Sequence, residues 1–445
     1  MGNSVRMTLW GYLLVGVGIL FMGFLVCLTL YFPQKEKTFP NSLPFAVRQL
    51  TYSKGNERSL SKSSQNVFEN RLQVDTPKVT TERPLSPWEE FHKDLTLDEL
   101  YSERAPYMSR LLHSLATAPI SRVHVFSPGT QFKFLIKFEN GNFAIAKPMR
   151  LKRDAYWGYN KTHLSWKDPE RHTAEIAAFH LDRILGFRRV APCVGRKVDL
   201  LNEFLLKSQD DGLLDTLEWR GDDICFVGDC PAVFCNKDRI ICAENGTLEI
   251  SVCQKLRWKN GRSPFHEEAN PWDHYVVHNG LKFMSILCRK YLSLQMPKIS
   301  HGRFFLDVME MTMFDYLIRN YDRHHYSLMR AINYTLSFVV LVDNGKGFGN
   351  PFEDDRKCMA AIYQCCRFRK STFERMLDLT KEGNKLGDLM RKSLLEDPVA
   401  PILTEEFFPA LDRRLAHFIQ EIHKCIDIHG QDTVLVDKYV KVVES

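Results

Sequence analysis

Two aspartates in matched surroundings carry the chemistry this chain is equipped for. The apolar run Phe314-Asp315-Tyr316-Leu317-Ile318 leads into Asn320-Tyr321-Asp322-Arg323-His324-His325, and the β-like run Leu336 to Val342 leads into Asp343-Asn344-Gly345. Each carboxylate follows an apolar element, and the two stand about twenty positions apart. A phosphoryl-transfer site requires this pairing: Asp322 orients and deprotonates an attacking hydroxyl, while Asp343 holds the divalent metal that bridges the ATP phosphates. A single loop aspartate more often caps or forms a turn. The pair in this context favours chemistry.

Carboxylates of this kind need a frame to hold them. Val123 to Phe126, Phe132 to Phe138 and Phe143 to Lys147 read as successive strands, separated by turns at Ser127-Pro128-Gly129-Thr130 and Asn140-Gly141-Asn142; Asn-Gly is a strong hairpin signal. Lys147 ends the last strand, where it reaches nucleotide phosphates or is an edge-strand surface lysine. The Ser127 to Thr130 turn, with one glycine, is a weak phosphate-loop signal. Glu170-Arg171-His172-Thr173-Ala174-Glu175 opens a segment whose apolar residues recur at helical spacing. Glu170 or Glu175 supplies the acidic partner of the lysine or the metal; five residues apart on a helix, they project in well-separated directions. Helical patterning also covers Leu97 to Ala116 and, in a larger second lobe, Thr372 to Leu379, Leu386 to Leu395 and Leu411 to His429.

The chain starts with an apolar segment. Met7 to Phe32 contains no charged residue, and roughly 20 apolar residues span a bilayer core. No short apolar core with a small-residue cleavage site is evident, so a retained signal anchor is expected over a cleaved leader. Residues 1–6 then form a cytoplasmic tail, and residues 33–85, polar and without periodic apolar pattern, a flexible luminal stem. Residues 86–445 hold enough aromatic and aliphatic positions for one two-lobed domain. Of 12 cysteines, only Cys27 lies in the apolar segment. Cys225, Cys230, Cys235 and Cys242 cluster without the C-x2-C knuckle of common zinc modules, so disulfides are expected over zinc. The adjacent Cys365 and Cys366 point to two separate partners. With the N-glycosylation acceptors Asn160, Asn245 and Asn333, these cysteines place the domain in an oxidising lumen. A net charge of +6, spread along the chain, does not argue for nucleic acid.

The motifs carry a family resemblance. Lys147-Pro148-Met149, Glu170 to Arg183, Asp322-Arg323-His324-His325-Tyr326, Asp343-Asn344-Gly345-Lys346-Gly347-Phe348-Gly349 and Gln364-Cys365-Cys366 closely resemble the secretory-pathway kinase family that contains the Golgi casein kinase, its pseudokinase paralogue and the glycosaminoglycan xylosylkinase. The likeness runs from about Trp88 to Val436. It implies an α+β, atypical two-lobed protein-kinase-like domain on a single-pass type II Golgi membrane anchor, released and secreted if the stem is cut. It also implies that Gln131 and Lys147 contact ATP, that Glu170 and Asp343 bind Mn2+ (or Mg2+), that Asp322 is the catalytic base, and that Glu249, Ile250, Ser251 and Val252 align with the adenine-contacting hinge. The family's disulfides would pair Cys225 with Cys242 and Cys230 with Cys235, and join Cys365 and Cys366 to Cys288 and Cys425 in either order; Cys193, Cys253 and Cys358 are left over. Ser327 stands in the nucleotide and metal slot where the family usually carries Glu. It either faces the second metal or caps a turn after Tyr326.

Glu170 matches the protein-kinase branch, while Gly349-Asn350-Pro351 and Tyr316-Leu317-Ile318 resemble the xylosylkinase. The resemblance therefore implies a kinase for Ser and Thr hydroxyls of secreted proteins. The alternatives are a glycan kinase acting on xylose of the proteoglycan linker, and a pseudokinase that activates a catalytic partner. Pairing with a second copy or with a family pseudokinase is the partner expectation.

Overall fold

The protein is described here by a computed structural model that covers residues 83–126, 131–156, 170–227, 240–256, 264–270, 272, 303–330 and 336–437. The apolar segment 7–32, nearly all of the stem, the Ser127 to Thr130 turn, Asn160, Asn333, Cys230, Cys235 and Cys288 lie outside the described residues. Among those described, no helix is long and apolar enough to cross a membrane.

The first half is built on strands β1 (Ile120–Val125), β2 (Phe134–Phe138), β3 (Phe143–Pro148), β4 (Cys193–Asp199), β5 (Glu218–Arg220), β6 (Asp223–Phe226), β7 (Ile241–Cys242) and β8 (Thr247–Gln254). Five of them form one antiparallel sheet in the order β1-β2-β3-β8-β4. The expected Asn140-Gly141 hairpin joins β2 to β3, with Gly141 at φ +84°, a conformation glycine adopts without a Cβ penalty. Alternation follows the pleat: Phe134, Ile136 and Phe138 are buried, and Lys137 faces solvent. The Phe134 ring meets Phe132, Phe204 and Phe226 edge-on, which anchors the sheet's core.

Helix α1 (Pro87–Asp94) and helix α2 (Met108–Thr117) precede the sheet. The expected helix over Leu97 to Ala116 therefore forms only in its second half. Pro106 interrupts the pattern, and Leu100 instead donates its N–H to the Arg188 carbonyl at 2.8 Å. Helix α3 (His172–Leu185) packs on the sheet and ends at Gly186, whose φ of +79° makes the left-handed cap.

The second half is organised around helix α4 (Arg303–Ile318), which is buried on every side, so its sequence lacks the 3.6-residue stripe of a surface helix. Its acids are all paired. Asp307 and Glu310 meet Arg189 and Arg369, and Asp315 meets Arg323 at 2.9 Å. Losing one partner of such a buried pair leaves an uncompensated charge. Strands β9 (Phe265–Ala269), β10 (His325–Arg330) and β11 (Leu336–Val340) form a second sheet in the order β11-β10-β9. Helices α5 (Lys370–Asp378), α6 (Leu386–Leu394) and α7 (Phe407–His429) follow, close to their expected spans. α7 starts earlier than expected because Pro409 falls in its first turn, where a missing N–H costs no helical bond.

Cys225 bonds Cys242 across the β6–β7 pair, and Cys366 bonds Cys425. Cys365 is disulfide-bonded too. Two of the three leftover cysteines also pair: Cys193 and Cys253 are direct neighbours across β4 and β8 and form a disulfide. Cys358 is free.

Candidate active site

The β3 strand presents Lys147, whose Nζ stands 2.6 Å from Glu170 Oε2, 2.7 Å from Glu175 Oε1 and 2.8 Å from Asp343 Oδ1. Glu170 and Glu175 were expected to diverge as two positions of one helix. They converge because α3 begins only at His172: Arg171 is extended, at φ −100° and ψ 125°, and Glu170 lies in that lead-in. Both acids therefore serve the lysine. The Arg171 N–H donates to the Gly345 carbonyl at 2.7 Å, which ties this lead-in to the loop after Asp343. A Cβ on Gly345 would lie 2.8 Å from Glu170 Oε2, so only glycine fits there.

The β10–β11 hairpin explains the spacing of the two aspartates. Ser327 pairs with Val340, so the chain leaves Asp322, runs out along β10, returns along β11 and arrives at Asp343 at the same end. Arg323 locks these ends together: it pairs with Asp315, and donates to Asn344 Oδ1 at 2.7 Å and to the Val342 carbonyl. Asp343 has φ +60°, a left-handed conformation sparsely used by residues with a Cβ, and such strain concentrates at functional sites. Asp322 Oδ2 is 2.7 Å from Lys346 Nζ, and its N–H donates to Asn320 Oδ1.

Charge is unbalanced at Lys147. The ammonium holds the Asp343 carboxyl well below the usual carboxylate range, whereas burial and the Asp343 charge push Glu170 up to about 7. Burial opposes the charge on Lys147, but Asp343, Glu170 and Glu175 together outweigh it and raise its pKa well above the ordinary value. One oxygen from each of Glu170, Glu175 and Asp343 lies within 4.8 Å of the others. Three carboxylates in surplus over the adjacent lysine, all oxygen donors, fit a hard divalent cation.

Lys133, just ahead of β2, interacts electrostatically with Asp343, Glu170 and Glu175; burial and the neighbouring Lys147 lower its pKa. Sequence reasoning missed it. The available signal was parity, since Gln131 and Lys133 fall on one side of an extended run. Gln131 itself is buried just before β2. The four hinge-aligned residues lie within β8 beside β3, with Ser251 directly across from Lys147. Glu249 is engaged elsewhere, by Arg153 at 2.5 Å and by His172 at 2.7 Å. Ser327 is buried inside β10 and not in a turn; its cross-strand neighbour on β9 is Glu267.

A sheet-borne lysine in ion-pair contact with acids before and within the next helix, with two aspartates brought to the same end of a returning hairpin, is the arrangement of the kinase class of phosphotransferases. The chain belongs to the Fam20C family, described as Golgi casein kinase, C-terminal, Fam20, whose sequence model matches residues 86–434. It is 35% identical over 367 residues to the human extracellular serine/threonine protein kinase FAM20C, covering 79% of this chain and 59% of that protein. The zebrafish (Danio rerio) glycosaminoglycan xylosylkinase is 36% identical over 361 residues, covering 79% of this chain and 83% of that one. The fold matches the crystal structure of the Golgi casein kinase with Mn/ADP bound at a TM-score of 0.73 and 30% identity, over 93% of this chain and 98% of the other.

Proposed function

We propose that this chain is a secretory-pathway kinase that transfers the γ-phosphate of ATP to Ser and Thr hydroxyls of secreted proteins. The observation that carries the reading is the convergence of Lys147, Glu170, Glu175 and Asp343 within bonding distance, at the same end of the hairpin as Asp322. Glu170, Glu175 and Asp343 would hold Mn2+ (or Mg2+), which would supply charge neutralisation for the triphosphate. Lys147 and Lys133 add fixed positive charge on the sheet side. Asp322 accepts the hydroxyl proton. The joint presence of Lys147, Glu170, Asp322 and Asp343 supports an enzyme over a nucleotide-binding scaffold.

Glu170 also supports the protein-kinase branch, whose residue at this position it matches. A glycan kinase acting on xylose is the second reading, favoured by the 36% identity to a xylosylkinase across most of that protein's length. The domain is proposed to sit in the Golgi lumen behind a cytoplasmic tail (1–6), the anchor (7–32) and the stem (33–85). Glycosylation at exposed Asn245, and assembly with a second copy or a family pseudokinase, belong to the same proposal.

The test offers the purified chain labelled ATP and Mn2+ with a casein-like acidic peptide and, separately, a xylose-bearing linker glycan. Label on serine is the expected result. Label on xylose alone transfers the assignment to the glycan kinase, and nucleotide binding with no transfer to either acceptor defeats the enzyme reading.

A further inference from the structure

Lys346 belongs to the turn after Asp343, yet its ammonium reaches the other aspartate: Nζ stands 2.7 Å from Asp322 Oδ2. The side chain of Lys346 is 6% exposed and that of Asp322 22%. The contact is therefore shielded, unlike the exposed ion pairs that contribute little. Its backbone has little freedom. The Gly347 N–H donates to the Asn344 carbonyl at 2.8 Å and the Phe348 N–H to the Ile318 carbonyl at 2.6 Å. Gly347 is itself pressed against Ile318, where a Cβ would lie 2.9 Å from Cδ1. Asn344 is gripped by Arg323, the residue next to Asp322. Both partners of the ion pair are thus fixed to one scaffold. On the opposite side of the carboxylate, His324 Nδ1 lies 3.4 Å from Oδ1 but 2.9 Å from the Asp322 backbone carbonyl, with which it hydrogen-bonds.

We infer that Lys346 is a positioning residue for phosphoryl transfer that acts through Asp322, an inference that rests on the kinase reading above. In the transfer, the acceptor oxygen bonds to the γ-phosphorus, and the bond from that phosphorus to the β–γ bridging oxygen breaks with its electron pair leaving on ADP. The hydroxyl proton passes to the Asp322 carboxylate. Lys346, by holding Oδ2, sets the rotation of that carboxylate and leaves Oδ1 directed at the incoming hydroxyl. A loop that carries the metal-type aspartate thereby also orients the base, coupling the two halves of the site through four residues of chain.

The test compares wild type, Lys346→Met, Lys346→Arg, Asp322→Asn and the Lys346→Met/Asp322→Asn double variant in the full-length protein. Misplacement of a reacting group by about an ångström costs on the order of a hundredfold, so Lys346→Met is expected to lower kcat about 10- to 100-fold. The KM for ATP and the rise in melting temperature produced by Mn2+ with ADP stay unchanged. Lys346→Arg restores most of the rate. In the Asp322→Asn background Lys346→Met adds no further loss, because its effect runs through that carboxylate. Lys346→Gln repeats the measurement if the methionine variant does not fold. Unchanged kcat, a loss confined to KM, or losses that multiply in the double variant would each overturn the inference while the kinase reading stands. An inactive wild type overturns both.

Discussion

At the scale of single residues, the site is a problem in charge: Lys147 faces three carboxylates at 2.6 to 2.8 Å. Asp343 is the member whose role is easiest to isolate, because Asn tolerates the left-handed backbone it occupies at φ +60°. Asp343→Asn removes the charge without straining the chain. It is expected to lower phosphoryl transfer about a thousandfold or more, the scale of the several kcal/mol that a metal-centred interaction supplies, while the melting temperature stays close to wild type. Near-normal turnover by the folded variant would remove Asp343 from the site. The placement of Asp322, Asp343 and Lys147 at or just after apolar runs was legible in the sequence. Lys133 and Lys346 were not, since a lone lysine beside a strand or in a turn has the same local signature on any surface.

At the scale of elements, the β10–β11 hairpin and the strand beside it decide what Ser327 can do. Ser327 lies between Val340 on one side and Glu267 on the other, with its side chain on the same face as both. Cβ atoms of directly opposed residues lie about 4.5 to 5.5 Å apart, and like charges so placed are destabilising by up to about 1 kcal/mol. Ser327→Glu is therefore expected to have two effects: less Mn2+ is needed for half-maximal ADP binding, and the protein melts earlier. Adding Glu267→Gln recovers the melting temperature and keeps the lower Mn2+ requirement. Titrating Mn2+ against the ADP-induced thermal shift checks both, and superimposable curves for Ser327→Glu and wild type would show that this position lies outside the metal site. The turn-capping alternative depended on where β10 begins, and a strand boundary is a product of pairing with β9 and β11.

For the whole molecule, the contact between α3 and α6 joins elements far apart in the chain. His180 Nδ1 and Ser393 Oγ are 2.6 Å apart there, and burial, with the charge of Arg183, lowers the His180 pKa to about 4. The unfolded chain takes up a proton at this histidine near pH 6.5, and the folded protein does so only near 4. The associated stability is present above pH 6.5 and is lost as pH falls toward 4, to an upper bound of about 3 kcal/mol. Asp182 and Glu170 act in the opposite sense, since burial raises them to about 6 and about 7 and folding then takes up protons as pH falls. The difference between wild type and His180→Gln isolates the histidine: melting temperatures recorded from pH 7 to 5 should fall less steeply for the variant. Parallel profiles would mean that His180 titrates no differently in the folded and unfolded chains.

What the amino-acid order determined alone was much of what depends on short range: the strand and hairpin order through Lys147, the two aspartates after apolar runs, and the long motifs that place the chain in its family. Local period and composition record which face of a segment is buried, and those records survive in one dimension. Tertiary structure decided the convergences. Glu170 and Glu175 both reach Lys147 because α3 starts two residues after Glu170. Cys193 and Cys253 meet because β4 and β8 are in register across a separation of 60. α4 shows no stripe because it is enclosed on every side, and Lys346 finds Asp322 because a hairpin returns the chain to its starting end. Each depends on strand register, helix start or enclosure, quantities set by contacts between distant segments, which no local window of sequence contains.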